Sequence, residues 1–268
     1  MTEQIEERLG MISQAAKQKI LALATQAGKV GKGSHIGGSL SCIDALIYIA
    51  LGDKFKIRPK GNDRLILSKG HAALALYVTL GFYETIPKET IDAYPSFPLL
   101  GHPVRAPELG IELSTGSLGM GISVAAGIAM SNKLKNNDSK TVVIIGDGEL
   151  NEGSVYETLR FSGKECLKNL IVILDQNNFQ QTGSTTEITG ELNYSALLES
   201  LNFETISGDG HSFQFLDLAF DKLTQSVNDK PKCIIMKTLK GKGLPDQGTN
   251  KYHHVLVTDA LRDSLSED

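Results

Sequence analysis

Two apolar runs, Thr141 to Ile145 and Leu170 to Leu174, each end in a polar corner. The first runs into Gly146-Asp147-Gly148 and the second into Asp175-Gln176-Asn177-Asn178. The stretch between them reads as a helix. Apolar runs of this length fit strands buried on both faces, and a helical crossover between them makes the strands parallel. Asp147 and Asn177 then lie at the carboxyl ends of two strands, where open α/β sheets place their ligands. An Asp-Gly pair alone is a common turn, and Asp147 alone reads equally well as a helix cap. Pairing with Asn177 favours a ligand. Mg²⁺ takes six oxygens in octahedral geometry and usually draws several from phosphates and water. Asp147, Asn177 and the carbonyl of Phe179 offer three; two diphosphate oxygens and a water would complete the shell.

The rest of the chain extends this pattern. Apolar residues at helical spacing (Ile5, Leu9, Ile12, Ala16, Ile20, Leu23) predict one or two helices over 3–29. Leu40 to Leu51 is almost wholly apolar and predicts a buried helix capped by Ser39. Arg64–Lys69 reads as a short strand, Ala72–Leu80 as a helix of small residues, and 94–118 as a Pro-rich loop. Gly119–Leu134 reads as a helix, 204–208 and 233–239 as strands, and 213–227 as the helix between them. The alternation predicts an α/β fold: a mostly parallel sheet with helices on both faces, forming a single domain over 1–268.

Composition excludes several classes. With 268 residues, 41% hydrophobic and 22% charged, the chain can bury a large core. Its 27 basic and 31 acidic residues give a net charge of −4, which offers nothing to nucleic acid or an anionic membrane. No apolar run approaches the ~20 residues of a membrane span, and the polar start MTEQIEERLG is unlike a signal peptide. A cytoplasmic protein is expected. Cys42, Cys166 and Cys233 lie far apart in apolar segments and read as small core residues rather than a disulfide frame or zinc site.

There are six histidines, and a lone histidine is ordinarily structural or at the surface. Here the segments around four of them, together with GDG…LDQNN, resemble the transketolase family. GDG…LDQNN is similar to the thiamine diphosphate motif that begins with GDG and ends near NN. His35 lies in GKGSHIGGSLS, similar to SGHPGG; His71 lies in DRLILSKGHAALALY, similar to the family's DRF and GH segment. His102 lies in GHPVRAPELGIELSTGSLGMGIS, similar to GHPE followed by TTGPLGQGI. His253, in NKYHHV, falls near the family's WHG, with His254 competing for that place. The likeness spans about residues 12–255. His211, in SGDGHSF, reads as a structural turn before a helix.

The resemblance implies a thiamine diphosphate-binding fold of the diphosphate-binding type, with roles at matching positions. Asp147, Asn177 and the Phe179 carbonyl would hold Mg²⁺, or Ca²⁺ or Mn²⁺ in its place. His71, Gly116, Ser117, Leu118, Gly146, Asp147, Gly148, Glu149, Asn177 and Phe179 would contact the cofactor. His35, His71, His102 and His253 would hydrogen-bond the sugar and move protons. Glu152 and Glu157, expected on the crossover helix, match glutamates at a dimer interface that link two active sites; Glu152 joins the catalytic set. The family reaction transfers a two-carbon ketol unit from a ketose to an aldose.

The residues after Asn177 are taken up by the last strands and helices of this domain. No room is left for the second α/β domain, of about 100–150 residues, that supplies the cofactor-activating glutamate in the family. The expectation is therefore the N-terminal subunit of a split transketolase. It would be active only with a separate C-terminal subunit, within a heterotetramer acting on sugar phosphates or related sugars. Two other readings compete. A 2-oxo acid dehydrogenase subunit or deoxyxylulose-phosphate synthase-like protein is disfavoured by the three histidines at 35, 71 and 102. A catalytically silent binding remnant is disfavoured by the retained Asp147 and Asn177. The sequence departs from the family pattern at Ser34-His35-Ile36 (usually Gly-His-Pro), Lys69 (often Asn), Ser117 (often Pro) and Met120 (often Gln).

Overall fold

The computed structural model describes residues 1–265; the last three residues of the single-domain expectation lie outside the described residues. Among the described residues, five strands form one sheet in the order β1-β2-β3-β5-β4, and every neighbouring pair is parallel. They are β1 (Arg64–Leu67), β2 (Thr141–Gly146), β3 (Leu170–Gln176), β4 (Glu204–Asp209) and β5 (Lys232–Lys237). The helices in chain order are α1 (Glu3–Lys29), α2 (Ile36–Leu51), α3 (Ala73–Phe82), α4 (Lys88–Asp92) and α5 (Met120–Leu134). They continue with α6 (Gly153–Lys164), α7 (Thr185–Thr189), α8 (Tyr194–Ser200), α9 (Phe213–Thr224) and α10 (Asp259–Arg262).

The strand residues divide by period two between two cores. Val142, Ile144, Ile171, Ile173, Ile234 and Met236 pack with α1, α2, α3 and α9. Val143, Ile145, Val172, Leu174, Cys233 and Ile235 pack with α5, α6 and α8. Both faces are covered, so the strands read as unbroken apolar runs. At ~25 cal/mol per Å² of buried apolar surface, these two layers are the main favourable term holding the sheet.

Some boundaries differ from the sequence reading. Residues 3–29 form one helix, with Thr2 capping Ile5 N–H. The buried helix begins at Ile36, not after Ser39, and His35 occupies the N-cap position. Ser39 sits inside the first turn, where its hydroxyl donates back to the His35 carbonyl at 2.9 Å. Cys42 and Cys233 are buried as expected, but Cys166 is half-exposed at φ 47, just past the end of α6. It terminates that helix in the left-handed conformation rather than filling the core. Glu157 lies on α6, but Glu152 lies before the helix, at its N-cap position.

Candidate functional site

Because all five strands run the same way, their carboxyl ends open on one edge, and the sequence elements singled out above meet there. Ser68 and Lys69 follow β1, Asp147 follows β2, Asn177 follows β3, and Thr238 to Lys240 follow β5. A cavity of about 430 Å³ lies above them. Its wall includes His35, His71, His102, His253, Gly116, Leu118, Gly146, Asp147, Gly148, Glu149, Glu152, Asn177 and Phe179. Ser117 is exposed and is not part of this wall.

Asp147 is 3% exposed. Its carboxylate accepts the Gly148 N–H at 2.9 Å and the Asn178 N–H at 2.6 Å. Burial, then the neighbouring Asp175, pushes its pKa up to about 7. Asn177 donates its amide nitrogen to Asp175 at 3.3 Å, while its amide oxygen accepts the Phe179 N–H at 3.1 Å. A carboxylate offers no proton, so the amide oxygen must face away from Asp175.

Asp175 itself is fully buried. It accepts from Ser41 at 2.6 Å and forms closer contacts with Thr238 and the Lys69 ammonium. Burial opposes both charges of the pair. Lys69 nonetheless holds Asp175 below the usual carboxylate range, and Asp175 carries Lys69 up to about 12. Glu149 is spent on the protein: one oxygen accepts from Ser68 at 2.5 Å and Gly119 N–H at 2.8 Å, the other from Gly146 N–H at 3.2 Å. Burial raises its pKa.

The facing wall is imidazole. The His35 ring centre lies 5.7 Å from His71, 5.5 Å from His102, 5.4 Å from His253 and 4.5 Å from His254. Burial, then His254, lowers His35 to about 3; burial, then Lys240, lowers His253 to about 4. Burial also lowers His71 and, less strongly, His102. These rings are neutral at pH 7, each with one donor and one acceptor nitrogen. Of the two adjacent candidates, His253 reaches the cavity; His254 is exposed and lies against His35 behind it.

Lys240 was not foreseen. It is 2% exposed, lines the cavity, and its ammonium reaches Asn250 Oδ1 at 2.7 Å and His253 Nδ1 at 3.0 Å. Burial, then Lys69, lowers its pKa to about 8. The usable signal was its place just past a strand end, before Gly241 at φ 75. His211 behaves as the sequence predicted: it sits outside the cavity, in the turn before α9, whose N-cap is Ser212.

The donor set suits a hard cation carrying a phosphorylated ligand. Asp147, Asn177 and Phe179 offer oxygen, and a cation would offset the penalty of keeping Asp147 ionised. Among the described residues, no group of three or more His, Cys, Asp or Glu is arranged to hold a metal. A Cβ at Gly146 would meet nothing within 4 Å, so the wall there is open for a ligand. Gly116 at φ 149 brings backbone close to the His102 ring, where a Cβ would lie 3.1 Å away. Only glycine holds that conformation without strain.

Comparison with known proteins agrees with this geometry. Residues 12–263 match the family described as transketolase, thiamine diphosphate binding domain, and the chain belongs to that family. It is 35% identical over 260 residues to an apulose-4-phosphate transketolase subunit of Phocaeicola vulgatus, covering 94% of this chain and 90% of that one. It is 33% identical over 266 residues to 6-deoxy-6-sulfo-D-fructose transketolase subunit SqwG of Clostridium sp., covering 96% and 94%. Among solved structures, transketolase from Leishmania mexicana superposes with a TM-score of 0.82 at 26% identity, over 95% of this chain and 40% of that one. The chain thus spans about 40% of the length of the solved transketolases it matches.

Proposed function

We propose that this chain is the N-terminal subunit of a split transketolase, a single domain holding the diphosphate and cation half of the site. One observation carries the reading. Asp147 and Asn177 stand at the ends of adjacent parallel strands, across one cavity from His35, His71, His102 and His253. The subunit relatives support the split, because this chain covers nearly their whole length. Those same relatives leave the 2-oxo acid and silent-remnant readings without support.

In this proposal Asp147, Asn177 and the Phe179 carbonyl hold Mg²⁺. Gly116, Leu118, Gly148, His71 and Lys240 receive thiamine diphosphate, and the Lys240 ammonium meets diphosphate charge. When bound, thiamine diphosphate supplies the carbon nucleophile and the electron sink. The protein's own share is orientation and proton transfer. Neutral imidazoles at 35, 102 and 253 donate to and accept from sugar hydroxyls, and they take or return protons without carrying charge at rest. The donor ketose is cleaved between its second and third carbons. The aldose fragment departs, and the two-carbon unit joins the aldehyde carbon of an acceptor. Glu152, exposed at the cavity mouth, faces a C-terminal partner subunit that supplies the activating carboxylate, in a cytoplasmic heterotetramer.

The test is ketol transfer measured with Mg²⁺, thiamine diphosphate and a C-terminal transketolase subunit. Turnover should need both subunits. Full turnover by this chain alone would refute the half-site, and pyruvate outperforming a ketose phosphate as donor would refute the reaction class.

A further inference from the structure

His211 lies outside the cavity, yet its ring is tied to the segment that carries Lys240. Leu239 N–H donates to His211 Nε2 at 3.0 Å. Nε2 is therefore the unprotonated nitrogen, and Nδ1 carries the hydrogen, which it donates to Asp44 Oδ2 at 2.7 Å. Asp44, on α2 and 2% exposed, also takes the Ser13 hydroxyl and lies 3.6 Å from the Lys17 ammonium, both on α1. Burial opposes its charge, but His211, Lys17 and Ser13 hold its pKa below the usual carboxylate range. The His211 backbone is fixed too, donating its N–H to Asp209 Oδ1 at 2.9 Å.

The other end of the chain of contacts is the cavity. β5 ends at Lys237, so the Leu239 N–H lies beyond the sheet ladder, and His211 supplies its acceptor. The next residue is Lys240. Its direction is then set by Leu239 on one side and, on the other, by Gly241 N–H bonding the Gly37 carbonyl at 3.0 Å. We propose that His211, oriented by Asp44, is a positioning residue: it fixes the backbone that delivers the Lys240 ammonium to the cavity wall. A carboxylate–imidazole–amide line thus runs from the α1–α2 layer to the anion-binding side of the site. The inference rests on the proposed function only for what the cavity binds.

The test uses the full chain, with Mg²⁺ and inorganic pyrophosphate as the probe. His211→Phe keeps the ring but removes both hydrogen bonds; His211→Gln restores a donor and an acceptor on one amide. In the ligand-free chain, His211→Phe should speed amide exchange in 238–253 at least tenfold and leave α1 and the central strands unchanged, while His211→Gln stays protected. Pyrophosphate affinity should fall about tenfold in His211→Phe and in Lys240→Met, with no further loss in the double variant, the signature of one shared contact. Additive losses, unchanged exchange in 238–253, or uniformly faster exchange across the whole chain would overturn the proposal. If Lys240→Met leaves pyrophosphate affinity unchanged, the anion reading of the cavity fails, and the exchange result alone decides whether His211 positions this segment.

Discussion

The two walls of the cavity are built on opposite principles. On the sheet-edge wall, charge is matched inside the protein: Asp175 collects Ser41, Thr238, Asn177 and Lys69, and Glu149 collects three donors from separate loops. On the imidazole wall, the rings of His35, His71, His102 and His253 meet mainly one another and line the cavity, with Lys240 reaching one of their nitrogens, His253 Nδ1. The first wall is finished by folding and the second is completed by binding. Asp147 stands where they meet, buried like the first wall and undercompensated like the second.

Substitutions can break this contrast, and the largest effect should come at the junction. Asp147→Ala should abolish Mg²⁺-dependent thiamine diphosphate binding in calorimetry while the chain stays folded; unchanged affinity would remove Asp147 from the cation site. Next comes the matched wall. Lys69→Met leaves Asp175 buried without its counter-ion and should cost about 3–5 kcal/mol in denaturant unfolding. Lys69→Met with Asp175→Leu should regain most of that loss, because removing both charges removes the mismatch.

The third effect is in pH. With Asp147 at about 7, protons compete with the cation: affinity should fall about tenfold per pH unit below 7 and level off above it. Stability of the ligand-free chain should run the other way. The folded pKa lies above the unfolded value of about 3.9, so this group's contribution is full below that value and is lost as pH rises through about 7. Asp147→Asn should flatten that part of the stability profile. The smallest effects test the open wall: His253→Ala should lower ketol transfer about tenfold or more, and His254→Ala only about two- to threefold. Equal losses would erase the distinction between the ring inside the cavity and the ring behind it.

Much of this was legible in the sequence because it rested on chain-local signals. β2 and β3 are apolar runs, and the corners after them put Asp147 and Asn177 on one edge whatever the rest of the chain does. What escaped was tertiary. Lys240 looks like a solvated lysine in Lys-Gly-Lys-Gly, and only the packing of Gly37 and Asn250 around it reveals a buried ammonium. Asp175 was visible within LDQNN, but its partner Lys69 comes from a distant strand end. Ser39 has good capping chemistry, yet α2 runs past it because the Gly37-Gly38 turn packs against Tyr252 and His71. Cys166 reads as core by residue type alone; its left-handed backbone at a helix end cannot be read from composition.

Glu149 has a consequence of its own. The turn after β1, the start of α5 and the end of β2 share this one carboxylate through Ser68, Gly119 and Gly146. Three stretches that are far apart along the chain are thereby yoked into one mechanical unit. A ligand gripping any one of them, the Gly116–Gly119 loop for instance, stiffens the other two without touching them. Ligand binding should therefore appear as protection spread across the whole carboxyl edge rather than as a local footprint, and the chain should resist heat most when its cavity is filled.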